Sequence, residues 1–263
     1  MITKTQLDNL VEKYETTDFI NDDPIQFIHK CKNKRDAEIY GFIASSFAFG
    51  NRTAFIKSLN HIFNLCGCDL YNYIVNGDFG NLKGCYYRIY KDCDIIALFS
   101  VLHNIYTKEG GLEELFKNSF RTDRGTTYDS YLSLVTDIIY KYAPKEAGLG
   151  FRHMIPAAQN GGAMKKMNMF LRWMVRKSVV DIGIWNFMKP SELLIPLDVH
   201  VARISREMGL LKRKSNDFKS VIELTEQLKK FCPEDPVKYD FAMFAYGLEH
   251  PKINEKRGSY GKI

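Results

Sequence analysis

The chain has 263 residues, 45% hydrophobic and 26% charged, and its 37 Lys and Arg outweigh 31 Asp and Glu to give a net charge of +6. These proportions exclude global disorder, collagen-like sequence and a small disulfide scaffold. At this length roughly three-quarters of the unfolded surface can be buried, in one large domain or in two lobes of about 100 to 150 residues; two lobes are expected. No stretch approaches the roughly 18 consecutive apolar residues of a membrane helix, and residues 1–19 lack the apolar core of a signal peptide, so a cytoplasmic protein that stays off membranes is expected. The six cysteines are scattered without a Cys-x-x-Cys pair, which predicts reduced packing thiols and no metal or other cofactor.

Ile2, Leu7, Leu10, Val11 and Tyr14 form an early helical stripe, and Asn21-Asp22-Asp23-Pro24 reads as the turn that closes it, with a second helix starting there. Asp36 to Phe49 is almost entirely small or apolar after its first charges, as a central helix surrounded by others would be. Apolar residues recur at helical spacing from Thr53 to Leu65 and from Asp94 to Tyr106. Between them, Cys85 to Tyr90 carries the one strand-like signal and fits the start of a helix equally well. A further amphipathic helix is predicted over Tyr128 to Tyr142, ended by Ala143-Pro144.

Residues 144–163, with two Pro and four Gly, mark the longest break in the pattern and the first candidate functional loop. Helices are then predicted from Met164 to Lys177, from Asp198 to Met208 with Gly209 as terminator, from Asp217 to Lys230, and from Pro236 to Tyr246. The last would have Asp235 as N-cap and Gly247 past its end. An all-α fold follows, with no convincing sheet.

On the helix from Met164, the residues Met167, Phe170, Leu171 and Met174 share one face, and Lys165, Arg172 and Arg176 fall on the other. Together with Lys166 and Lys177 they place five cations within thirteen residues, directly after Asn160-Gly161-Gly162. Exposed backbone amides beside positive side chains suit a phosphate backbone, whereas the plainer reading is a solvated helix face. The second candidate is Pro196-Leu197-Asp198-Val199-His200-Val201-Ala202-Arg203. Asp198 suits an N-cap, which needs no catalysis, and His200 suits one structural hydrogen bond. Asp181, Asp240, Arg152 and His153 fit either a cleft or ordinary charge pairing.

Taken together, the lysine segment and the Pro-Leu-Asp-x-His-x-x-Arg helix start resemble the helix-hairpin-helix DNA glycosylase superfamily, the group that includes endonuclease III and the 8-oxoguanine glycosylases. The early helix Glu38 to Ser46 and the closing helix Asp235 to Gly247 extend the likeness over most of the chain. The segment Lys165-Lys166-Met167-Asn168-Met169-Phe170-Leu171-Arg172-Trp173-Met174-Val175-Arg176 with the Pro-Leu-Asp-x-His-Val helix resembles an uncharacterised bacterial family still more closely. The glycosylase hairpin Leu-Pro-Gly-Val-Gly-x-Lys is altered here, with Ala163 and Met164 between Gly162 and Lys165, and the lysine-to-aspartate spacing is longer than in most members, as in the archaeal 8-oxoguanine glycosylases. The superfamily's C-terminal iron–sulfur cysteines are missing.

The resemblance implies a two-lobed all-α fold with a helix-hairpin-helix-like element and a cleft between lobes. Residues 35–178 would form a barrel-like lobe ending in the hairpin and basic helix, and residues 1–34 with 179–263 the other. It implies base excision on damaged or abasic DNA by a monomer, with RNA an open alternative, through a Schiff base on Lys165 (or Lys166) supported by Asp198. Asn160, Gly161, Gly162, Arg172, Arg176, Lys177, His200 and Arg203 would contact nucleic acid. Phe49, Asn51, Trp173 and Trp185 are candidate pocket residues for an extruded base. The alternatives are a non-catalytic nucleic-acid-binding protein on the same scaffold, and a helical interaction protein using Trp173 and the methionines.

Overall fold

The computed structural model describes residues 2–122 and 130–251. Among these the regular structure is helical, with three isolated bridges and no strand. The helices are α1 (Lys4–Tyr14), α2 (Gln26–His29), α3 (Lys34–Phe47), α4 (Arg52–Cys66), α5 (Leu70–Asn76), α6 (Asp92–Lys108) and α7 (Leu112–Thr122). They continue as α8 (Ser130–Tyr142), α9 (Leu149–Met154), α10 (Lys165–Val175), α11 (Val199–Glu207), α12 (Phe218–Lys229) and α13 (Tyr239–Glu249). No helix among the described residues is long and apolar enough to cross a membrane. Tyr128, from which α8 is expected to begin, lies outside the described residues, as do residues 252–263 at the end of the expected second lobe.

Local chemistry sets most helix starts. Asn33, Asn51, Asp69, Asp198 and Asp217 each accept the backbone N–H three residues on, at the heads of α3, α4, α5, α11 and α12, an arrangement worth about 1 kcal/mol per cap. Thr3 and Gln6 form a reciprocal capping box on α1. α3 is buried along most of its length, as its composition predicts. It packs on α10, and Gly41 permits the close approach: a methyl group there would lie 3.0 Å from Ile28 and 3.1 Å from Met174.

Five local expectations change. The glycine-rich stretch 144–163 contains α9, because the Asp94 carboxylate at the head of α6 accepts both Gly148 N and Phe151 N at 2.9 Å and so caps α9 from another element. Cys85 to Tyr90 is neither strand nor helix. Tyr87 and Tyr90 close a tight turn on each other through two backbone bonds, and Arg88 takes a left-handed φ of 53°. The chain end opens with a 3-10 turn, Pro236–Lys238, before α13. Gly247 lies inside α13 and not past its end, where its bare Cα lets α13 approach α11; a methyl group would lie 3.1 Å from His200 and 3.2 Å from Ile204. Asp235 makes no side-chain cap, because its Oδ2 accepts Arg176 Nε at 2.7 Å.

The buried apolar residues fall into two main clusters. The larger runs from Ile25 to Leu193 and gains Val237 and Phe241; the smaller joins Leu7 to residues between Leu194 and Met243. A small third group, Tyr14 with Ala242 and Ala245, ties α1 to α13. The boundary between the main clusters therefore falls at Leu193/Leu194. Ile25 to Ile28 and Val180 to Leu193 pack with the first, whereas the expected lobes divide at 34/35 and 178/179.

Candidate active site

A cleft of about 470 Å³ opens where the clusters meet. On α10, Lys165, Met169, Arg172 and Trp173 face it, at the i, i+4, i+7, i+8 spacing of one helical stripe. Pro196 to His200 at the head of α11 and Asp240, Phe241, Phe244 and Leu248 on α13 line it as well. Asp23 and Pro24 before α2, Phe49 after α3 and Arg52 and Phe55 on α4 complete the wall, and Asn216 stands at its edge. The fold thus brings Lys165 and Asp198 to one cavity.

The turn before α10 aims Lys165. Gly161 is left-handed with φ 67°, Gly162 pairs with Asp217 in an isolated bridge, and Phe218 N donates to Gly161 O at 3.0 Å. Met164 is then left-handed with φ 49° and ψ 31°, a conformation costing a non-glycine residue roughly 1 kcal/mol or more. Its buried side chain holds it, and its carbonyl accepts Asn168 N at 2.9 Å. The Lys165 side chain makes no hydrogen bond or ion pair among the described residues.

Lys166 turns away from the cleft. Its Nζ donates to Tyr90 Oη at 2.9 Å and to the His153 carbonyl at 2.7 Å. Burial first, and the Lys165 charge second, hold its ammonium well below the ordinary lysine range. Lys166 thus lies beside a void of only about 10 Å³ and does not line the cavity that holds Asp198.

Asp198 caps α11 through Oδ1, which accepts Val201 N at 2.8 Å, and its Oδ2 accepts no hydrogen bond among the described residues. Asp240 is fully enclosed. Burial drives its carboxyl up to about 7; the Arg172 charge opposes this, Asp198 adds to it and Lys165 again opposes. Burial likewise raises Asp23 against the pull of Arg52, Arg172 and Lys165. Phe49 sits between the Arg88 guanidinium, 4.8 Å away, and the His153 ring, 4.4 Å away. The buried Trp173 Nε1 has no acceptor, and Arg52 lies over Phe244 at 4.9 Å.

Several expected contacts are corrected. Arg172 and Arg176 are 3% and 6% exposed and do not form a solvent-facing basic surface. Arg172 pairs with Asp181 at 3.1 Å and with Asp240, and Arg176 pairs with Asp181 at 2.9 Å, Asp235 at 2.7 Å and Glu15. Burial pushes Glu15 up, but Arg176 overrides it and holds that carboxyl below its usual value. α10 is accordingly a central helix between the two clusters, its arginines neutralised by α1, α13 and the Asp181 loop. Trp185 is core: its Nε1 donates to Glu38 Oε1 at 2.9 Å, and its ring packs on Phe116 and Phe170. Asn51 is exposed, caps α4 and does not line the cleft.

Of the remaining expected residues, Phe49, Trp173 and His200 line the cleft. Asn160, Gly161, Gly162 and Lys177 are exposed outside it. Arg203 spans from α11 to α13, donating to Gly247 O at 2.7 Å and meeting Glu207 at 3.3 Å. Asp23, Arg52, Phe55, Phe241 and Phe244 are cleft residues that sequence patterns do not single out. Asp23 reads as part of a turn, and Phe241 and Phe244 read as the core face of a helix.

The model of the family described as "Protein of unknown function (DUF2400)" matches residues 23–249. The chain belongs to this family. No curated protein and no solved structure matches it. The matched span begins at Asp23 and ends at Glu249, and so contains every residue lining the cleft.

Proposed function

We propose that this DUF2400 protein is a base-excision DNA glycosylase with an associated lyase step, acting as a cytoplasmic monomer on damaged or abasic duplex DNA. The observation that carries the reading is that Lys165 and Asp198 both line one aromatic-lined cleft. The cavity volume suits a single extruded nucleotide. Phe49, Phe55, Phe241 and Phe244 give the cleft aromatic lining, and Trp173 Nε1 is a buried donor without an acceptor.

In this reading the Asp198 carboxylate takes a proton from the Lys165 ammonium and passes it to the departing base. The neutral amine bonds to C1′, the C1′–N bond breaks, and the base leaves with that electron pair and gains a proton. Ring opening yields the Schiff base, and loss of the C2′ proton then expels the 3′ phosphate. A second reading, a non-catalytic binder on the same scaffold, draws on the N-cap hydrogen bond of Asp198. Incubation with duplexes carrying 8-oxoguanine or an abasic site, followed by borohydride, separates them. Base release or a trapped adduct, lost in Asp198→Asn, is expected. Retained DNA binding with neither product on either substrate would favour the binder, and tighter binding to RNA than to DNA would contradict both substrate assignments.

A further inference from the structure

With Arg172 and Arg176 buried, the cations available to a polyanion lie elsewhere. An exposed group near the cleft is the loop after α11, where Lys212, Arg213 and Lys214 are consecutive and exposed, with Lys219 close by on α12. Arg213 pairs with Asp217 at 2.5 Å, whereas Lys212, Lys214 and Lys219 pair with no carboxylate among the described residues. The loop is also built to hold its shape. Arg206 donates to Arg213 O at 2.8 Å, Ser215 O at 3.0 Å and Asn216 Oδ1 at 2.7 Å, and Lys212 N donates to Glu223 at 2.7 Å. These bonds order the loop backbone before any ligand binds, which lowers the cost of ordering it on binding.

A second observation lies next to it. The Asp217 end of this loop is bridged to Gly162, and Phe218 N is bonded to Gly161 O, so the loop and the glycine turn before α10 form one surface. Gly162 has no positive φ, and a methyl group placed on it would meet nothing within 4 Å. Neither backbone conformation nor internal packing asks for glycine there. Its missing side chain leaves the backbone open on the surface it shares with the lysine loop. Asn216, at the end of the same loop, lines the cleft.

We infer that Lys212, Lys214 and Lys219, with the bare backbone at Gly162, form a docking surface for the phosphate backbone of duplex DNA at the rim of the cleft. The choice of DNA rests on the proposed function; the surface itself rests on charge and geometry. Each lysine neutralises one phosphate, so its contribution is independent of sequence and falls with salt.

The test is titration of an unmodified 20-base-pair duplex across a range of salt concentrations, with wild type, Lys212→Ala/Lys214→Ala, and a control Lys30→Ala/Lys108→Ala that removes the same charge just after α2 and from α6. The loop variant is expected to bind about tenfold more weakly at low salt and to lower the slope of log affinity on log salt by about 2, with the control unchanged. Equal losses in both variants, or no loss in the loop variant, would overturn the surface, as would a wild type that prefers anionic vesicles. Failure of the glycosylase reading is distinguishable: the loop variant would lose duplex binding as expected while wild type released no base and trapped no adduct.

Discussion

The two ends of α10 handle positive charge in opposite ways. At its C-terminal end Arg172 and Arg176 are sunk between the clusters, and together they meet four carboxylates, from Asp181, Asp240, Asp235 and Glu15. At its N-terminal end Lys165 stands at an open cleft beside Asp198 and Asp240 and pairs with neither. Its neighbour Lys166 shows a third arrangement, its charge disfavoured by burial and its donors taken up by Tyr90 and His153. A charge fully answered by partners holds the fold; a charge held near carboxylates without pairing is available for chemistry.

Substitutions can break this contrast, beginning with the largest expected effect. Arg172→Ala leaves the buried Asp240 without its ion-pair partner and Asp181 with Arg176 alone, and urea unfolding should show a loss of about 3–5 kcal/mol. Asp240→Asn sharpens the picture through pH. Because the folded carboxyl is raised from 3.8 to about 7, the native state holds a proton across that interval that the unfolded chain has released, so this group lowers stability as pH rises from about 4 to 7. The variant should lack that decline, measured as the difference in unfolding free energy between the two ends of the interval. Trp185→Phe removes the hydrogen bond to Glu38 and should cost about 1–2 kcal/mol while leaving duplex binding unchanged, since the ring lies outside the cleft. Smallest of all, Lys165→Ala should shift stability by at most about 0.5 kcal/mol, within the resolution of thermal unfolding, and yet abolish adduct formation.

Much of the fold is legible in the sequence where local chemistry decides it. The apolar run of α3, the Asp198 and Asp217 caps and the Gly209 terminator all describe a residue's dealings with near neighbours along the chain. What escapes local reading is settled by partners far away in sequence. α9 forms in a glycine-rich stretch because Asp94 caps it from α6, and Gly247 continues α13 because α11 lies against it. The site divides the same way. Lys165, Asp198, Phe49 and Trp173 are readable as candidates from motif and residue type. The burial of Arg172 and Arg176 is not, since helical periodicity places them opposite the apolar stripe and carries no sign of the carboxylates that α1 and α13 bring to meet them. Asp23, Phe241 and Phe244 are hidden for a related reason: turn and core residues look alike whether they face an interior or the wall of a cavity.

The most direct test of the account is to trap the protein with borohydride on an abasic-site duplex, digest it, and locate the modified lysine by mass spectrometry in wild type, Lys165→Ala and Lys166→Met. The account predicts the sugar remnant on Lys165 in wild type and in Lys166→Met, with none in Lys165→Ala. An adduct that maps to Lys166, or that persists in Lys165→Ala, would contradict it.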